Sequence, residues 1–221
     1  MDIQVLRRLD EKNKANADET RALLDEHGVR SVNMMGSPGC GKTALLERIL
    51  PLLQPTLRCA VLEGDLFTTQ DAERVAALGT RVIQLETQGS CHLDANLVQR
   101  GVRELPLGEC DLLFVENVGN LVCPANFDVG EHARMAVVSV TEGHDKPSKY
   151  PLMFSRADAV VITKLDLLEH TDFDLQAALA GIRQYNEHAP VFQTSTRDDN
   201  FDDLVGWLTG LCGQGRRHGG A

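Results

Sequence analysis

The segment Gly36-Ser37-Pro38-Gly39-Cys40-Gly41-Lys42-Thr43 satisfies G-x-x-x-x-G-K-[ST] in full. Its glycines let the backbone curl until successive N–H groups point at phosphate oxygens. The helix that must follow adds the positive end of its dipole. Such a loop works only between a buried strand and a helix, and both flanks comply. Residues 29–35 form a short apolar run. Over 43–53, Leu45, Leu46, Ile49, Leu50 and Leu53 recur at a helical period, with Pro51 near the end. Gly36, Ser37, Gly39, Cys40, Gly41, Lys42, Thr43 and Ala44 are therefore the expected phosphate cradle. Lys42 suits the β- and γ-phosphates, and the Thr43 hydroxyl suits magnesium. Cys40 is read as a small filler whose backbone matters more than its thiol.

The remaining chain alternates in the same way. Strands are predicted over 58–63, 81–85, 111–116, 133–140, 157–163 and 190–194. Helices are predicted over 71–78, 94–105, 175–185 and 201–211. This alternation builds an α/β fold, a mostly parallel sheet with helices on both faces. Residues 1–28 read as a short, polar, helical N-terminal extension. Asp18 is expected to cap a last helix carrying Leu23 and Leu24, and Gly28 to stop it. The P-loop domain then spans 29–212, and the Gly- and Arg-rich residues 213–221 are expected to be a disordered tail.

A formal net charge of -10 argues against a nucleic-acid partner, which needs a basic footprint. No apolar run approaches the roughly 20 residues that span a bilayer. No signal-peptide core follows Met1. A cytoplasmic protein without a membrane partner is expected. Its cysteines form no C-x-x-C pair, which removes zinc-ribbon and thioredoxin readings. Disulfides are not expected in a reducing compartment.

Two carboxylates sit at the C-terminal ends of strands, where such sheets gather their ligands. Asp65 follows Glu63-Gly64, and Glu116 precedes Asn117-Val118-Gly119. Either acid can orient magnesium or the attacking water, and Gly119 lets the backbone approach a γ-phosphate. Thr163-Lys164-Leu165-Asp166 follows the next-to-last strand and matches the guanine-reading [NT]-K-x-D element. One Asp166 carboxylate can accept both the N1–H and the N2–H of guanine, and adenine offers no such pair. The Lys164 stem can lie along the base. Thr163 stands where asparagine is commoner, an exchange expected to loosen this loop. Ser195 and Thr196, after the last strand, are either a third contact to the base or a helix cap. GTP and GDP with magnesium are the expected ligands. No residue stands out as a general base, so slow turnover is expected.

Cys91-His92 and Cys123 lie in loops after the third and fourth strands. Such ligands suit Zn(II) or Ni(II), but free cysteine equally serves as a buried hydrophobe. Spacing does not choose between the two. Location adds interest, because Cys123 lies just downstream of residues 116–119.

Together these residues resemble the hydrogenase maturation GTPases of the HypB family, over nearly the whole chain from residue 13 onward. Gly89-Ser90-Cys91-His92-Leu93 and Glu116-Asn117-Val118-Gly119-Asn120-Leu121-Val122-Cys123-Pro124 carry the resemblance. Its most specific segment is Ser139-Val140-Thr141-Glu142-Gly143-His144-Asp145-Lys146-Pro147-Ser148-Lys149-Tyr150-Pro151. Urease accessory GTPases share the nucleotide elements but are not expected to carry residues 145–151. The resemblance implies a SIMIBI-type G domain and a nickel-delivery GTPase that dimerises around nucleotide. It implies a metal site, for nickel or zinc, on Cys91, His92 and Cys123 at the dimer interface. It also implies a HypA-like, zinc-containing nickel chaperone and a [NiFe] hydrogenase large subunit as partners.

Asn96, placed one helical turn past His92, is a poor candidate for a fourth ligand, which leaves that position to water or the partner subunit. Lys146 and Lys149 read either as a solvated cluster or as a contact with the partner subunit or its nucleotide. Residues 1–39 hold no cysteine and the histidines are scattered, so the high-affinity nickel storage of some members is not expected. A small-molecule kinase on the same loop is the competing reading. It would need an acceptor pocket and a lid, for which no segment is evident.

Overall fold

Strands buried on both faces need near-continuous apolar runs. The computed structural model builds its strands from such runs. It describes residues 3–65, 69–87, 89–197 and 200–215, with side chains over 11–64, 69–87, 89–197 and 200–213. In chain order the elements are α1 (Ile3–Glu26), β1 (Arg30–Gly36), α2 (Lys42–Leu53), β2 (Cys59–Asp65), α3 (Gln70–Ala76), β3 (Arg81–Glu86) and α4 (Ala95–Arg103). There follow β4 (Leu112–Glu116), α5 (Cys123–Asn126), β5 (Ala133–Ser139), α6 (Lys146–Lys149), α7 (Pro151–Ser155), β6 (Ala159–Thr163), α8 (Leu175–Tyr185), β7 (Val191–Gln193) and α9 (Asp202–Gly215). The sheet runs β3-β2-β4-β1-β5-β6-β7, and its strand pairs are all parallel. The expectation of a mostly parallel sheet is met.

The phosphate-loop strand β1 lies between β4 and β5. Helices α2, α3 and α9 cover one face, where Val32, Phe114, Val137 and Val161 meet Ile49, Val75 and Leu204. On the other face Leu62, Leu113 and Val115 meet Leu24 of α1 and Val98 of α4. Farther along it, Ala136 and Ile162 meet Phe154 of α7 and Ile182 of α8. All strand C-termini therefore open on one rim, which is where the predicted site residues collect.

Two expectations are corrected here. Helix α1 is continuous through residue 26, so Asp18 is an interior residue that pairs with Arg21 at 3.1 Å, not a cap. The helix is held as one piece by its docking on α4. The Asn13 amide donates to the Asp128 carbonyl at 2.8 Å and accepts from the Ala95 N–H at 2.9 Å. Gly28 does supply the stop, at φ +68°. Helix α9 runs to Gly215, past the expected end at 211, so the expected tail begins with helical residues; residues 216–221 lie outside the described set. The 139–151 stretch folds into short helical pieces. Its first turn is a capping box in which Ser139 and Glu142 exchange bonds with each other's backbone.

His132 fastens α1 to β1. Its Nδ1 accepts from the Ser31 N–H at 3.0 Å, which leaves the proton on Nε2, facing Asp25 at 3.2 Å. Burial holds the imidazole below its ordinary pKa of 6.5, against the opposing pull of Asp25. A histidine depressed in the folded state supports folding fully above the unfolded pKa. That support is lost as pH falls from about 6.5 through the folded value. Urea denaturation at pH 8.0, 6.5 and 5.5 should show wild-type stability falling over this range. A His132→Gln protein should start about 1 kcal/mol lower and lose less on acidification. Parallel pH profiles for the two would contradict the assignment.

Candidate nucleotide and metal site

The loop after β1 needs glycine at two positions. Gly39 and Gly41 have φ +74° and +96°, a region other residues rarely adopt. A Cβ on Gly36 would strike the Val137 carbonyl and the Cys40 Sγ. Cys40 is fully buried beneath the loop, and burial pushes its thiol up to about 11. Lys42 reaches back to the Ser37 carbonyl at 3.5 Å. The Thr43 hydroxyl donates to Glu116 Oε1 at 2.8 Å. Glu116 is almost wholly buried and its other oxygen, Oε2, has no hydrogen-bond partner. Burial raises its pKa, and Lys42 is the largest opposing influence. A buried carboxylate oxygen left open beside a threonine hydroxyl and a lysine fits a magnesium position, and the donor set is all oxygen.

These groups line a cleft of about 460 Å³, shared with Glu63, Asp71 and Arg74. Glu63 sits opposite Glu116 in the strand register. Its alternation with Asp65 along β2 is the sequence signal that places it on this rim. Asp65 ends β2 on the same rim, and its side chain lies outside the described residues. Gly119 is pressed against the phosphate loop: a Cβ there would lie 2.7 Å from the Pro38 nitrogen.

The Thr163–Asp166 turn is bonded to the same loop. Thr163 is buried and donates its hydroxyl to the Cys40 carbonyl at 2.6 Å. Lys164 Nζ donates to the Gly39 carbonyl at 2.6 Å. The expected loosening by Thr163 is thus corrected, since a hydroxyl of this length makes a short bond to the phosphate loop. Lys164 has φ +60°, the positive φ among described non-glycine residues, and such strain gathers at functional positions. Asp166 accepts from the Ser195 hydroxyl at 2.9 Å and pairs with Arg197 at 3.3 Å. Of the two residues proposed after β7, Ser195 reaches Asp166, while Thr196 is exposed.

Cys91, His92 and Cys123 converge from two loops, their ligand atoms all within 4.8 Å of one another. The two sulfurs are 3.0 Å apart, and Cys91 Sγ is 3.6 Å from His92 Nδ1. His92 stacks on Phe127 with centroids 4.2 Å apart, which fixes the ring. Burial lowers its pKa, favouring the neutral, ligating form. This thiol–thiol–imidazole set fits a borderline divalent ion. Asn96 is not a helical turn from His92, because α4 begins only at Ala95, with Asp94 accepting from the Leu97 N–H as its cap. Lys149 pairs with Asp145 at 2.6 Å and Lys146 lies over the Tyr150 ring at 5.5 Å.

A phosphate cradle joined on one side to a buried acid and on the other to the Thr163–Asp166 turn defines a P-loop nucleotide-binding domain. The family model described as "CobW/HypB/UreG, nucleotide-binding domain" matches residues 30–193. The chain is 41% identical to a probable hydrogenase maturation factor HypB of Methanocaldococcus jannaschii over 197 residues, 89% of each chain. This chain belongs to the HypB family. It is also 43% identical over 199 residues to the hydrogenase maturation factor HypB of Escherichia coli (strain K12), covering 90% of this chain and 69% of that one. A crystal structure of HypB from Helicobacter pylori in complex with nickel superposes with a TM-score of 0.87 at 35% identity, over 92% of this chain and 96% of that one. Among the described residues no helix is long and apolar enough to cross a membrane.

Proposed function

We propose that this chain is a GTP-hydrolysing metallochaperone that binds nickel and delivers it during [NiFe] hydrogenase maturation. One observation carries the reading. Gly119, against the phosphate loop, and the metal-ligating Cys123 belong to a single short segment, and Asn120 between them donates its N–H to the Gly36 carbonyl at 2.9 Å. In this proposal residues 29–212 act as the GTPase unit with its metal site, in the cytoplasm, and residues 1–28 brace it.

The loop N–H groups and Lys42 hold the β- and γ-phosphates, and Asp166 selects guanine. Magnesium bound at Thr43 and Glu116, with Asp65 beside them, would neutralise charge on the β- and γ-oxygens. Water attacks the γ-phosphorus, the bond to the β-phosphate oxygen breaks, and GDP and phosphate leave. No side chain of the described set stands as a committed general base, so turnover is slow. Loss of the γ-phosphate frees Gly119 and its neighbours to move, an order–disorder switch. That movement alters the Cys123 geometry and releases nickel. A second copy of the chain, a HypA-like chaperone and the hydrogenase large subunit are the partners in this scheme. The same site accepts zinc.

Cys123→Ala tests the cargo half. Even outer-shell partners of a metal are worth 10–100-fold in affinity, so losing a ligand should weaken Ni(II) binding at least roughly 100-fold. Competition with a chromophoric chelator reads this. Unchanged affinity at unchanged stoichiometry would place nickel elsewhere.

A further inference from the structure

The metal ligands are carried on two separate limbs, residues 91–93 and 120–123. We infer that Asn117 and Asn120 are positioning residues that tie these limbs to the nucleotide-sensing end of β4, and so transmit nucleotide state to the metal. The inference rests on the proposed function. It adds to that function the route by which coupling travels.

Asn117 follows Glu116 directly and is 1% exposed. Its Oδ1 accepts from the Leu93 N–H at 3.0 Å, one residue beyond His92, and from the Val118 N–H at 3.0 Å. Because both partners are N–H donors, the amide orientation is fixed. Its Nδ2 donates to Asn33 Oδ1 at 3.1 Å, and its backbone N–H to the Met34 carbonyl at 3.0 Å. One side chain thus links the metal limb, the sensing segment and β1. Leu93 is also fully buried, and it fills the space over Gly64, where a Cβ would meet its Cγ at 2.8 Å. The first limb is therefore wedged between the ends of β2 and β4, the strands that carry Asp65 and Glu116.

The second limb has its own tie. Asn120 Oδ1 accepts from the Val122 N–H at 2.8 Å and the Cys123 N–H at 3.4 Å, at the start of α5. Its backbone is bridged to Gly36. The two asparagines flank Gly119, which lies against Pro38 of the phosphate loop. A shift of residues 116–120 then pulls Leu93 through Asn117 and Cys123 through Asn120. The limbs leave from opposite sides of Gly119, so the spacing of the sulfurs and the imidazole changes.

The test compares Ni(II) affinity with GDP and with a non-hydrolysable GTP analogue, in wild type, Asn117→Ala, Asn120→Ala and Asn120→Asp. A metal-free readout accompanies it, the rate of Cys123 alkylation by iodoacetamide in the same nucleotide states. Wild type should show at least about a fivefold difference in affinity between the two nucleotides. Asn117→Ala and Asn120→Ala should reduce it to within about twofold, and the alkylation difference should collapse in parallel. Asn120→Asp keeps the acceptor and should restore both. Asn120 is only half-buried, so Asn120→Ala decides the matter if Asn117→Ala does not fold. A wild-type difference that survives in the alanine variants overturns this inference and leaves the proposed function standing. No difference in wild type overturns both.

Discussion

Asp166→Asn should turn a guanine-nucleotide protein into a xanthine-nucleotide protein. Ser195 donates to one oxygen of this carboxylate and Arg197 pairs with the other, which fixes its position at the rim. Guanine offers it two N–H donors. Hydrogen bonds to a charged group contribute about 1.5–3 kcal/mol each, so their loss amounts to about 3–6 kcal/mol, roughly 10²–10⁴ in affinity. An asparagine amide can instead donate to the C2 carbonyl of xanthine while accepting from its N1–H. Titration with fluorescent GDP and XDP reads both sides. Weaker GDP binding with gained XDP binding is the expected result. Unchanged preference for GDP would mean the base lies elsewhere, and equal use of ATP would revive the kinase reading.

Lys42→Ala should cut GTP hydrolysis by at least roughly 10²–10³-fold, the loss seen when one preorganised donor to a developing oxyanion is removed. Lys42 is buried in the phosphate cleft beside Glu116, and its ammonium donates to the Ser37 carbonyl at 3.5 Å. That contact is long, which leaves the group available to phosphate. Single-turnover phosphate release at saturating GTP measures the step. Hydrolysis within tenfold of wild type would show that the cradle does not drive the chemistry.

Much of this site is legible in the chain because the phosphate loop is local. Residues 36–43 carry their own geometry, and the apolar runs on either side admit one strand and one helix. The parallel sheet follows from strands with no polar face, such as Leu112–Glu116, whose residues are all buried. Function of Thr163 was harder to see. Its hydroxyl acts on the Cys40 carbonyl, 123 positions away in the chain, and no local pattern encodes such a bond. The continuity of α1 is hidden from local pattern for the same reason, since Asn13 is satisfied by Asp128 and Ala95 rather than by its own helix. Asn117 and Asn120 look like loop polar residues in sequence. Only the tertiary bonds to Leu93 and within the Asn120–Cys123 turn reveal their connection to the metal limbs. Cys91, His92 and Cys123 are an intermediate case. Spacing alone could not join them, and the fold brings them within ligating reach.

The proposed coupling of nucleotide state to metal binding runs through the segment between Glu116 and Cys123. It is tested most directly by the Ni(II) dissociation constant of the wild-type protein with GDP and with a non-hydrolysable GTP analogue, under matched magnesium. Coupling free energies between sites commonly correspond to roughly 5–150-fold. A difference of at least about fivefold is expected, with the reciprocal difference in nucleotide affinity when nickel is present. Equal nickel affinity and stoichiometry in both states would contradict it.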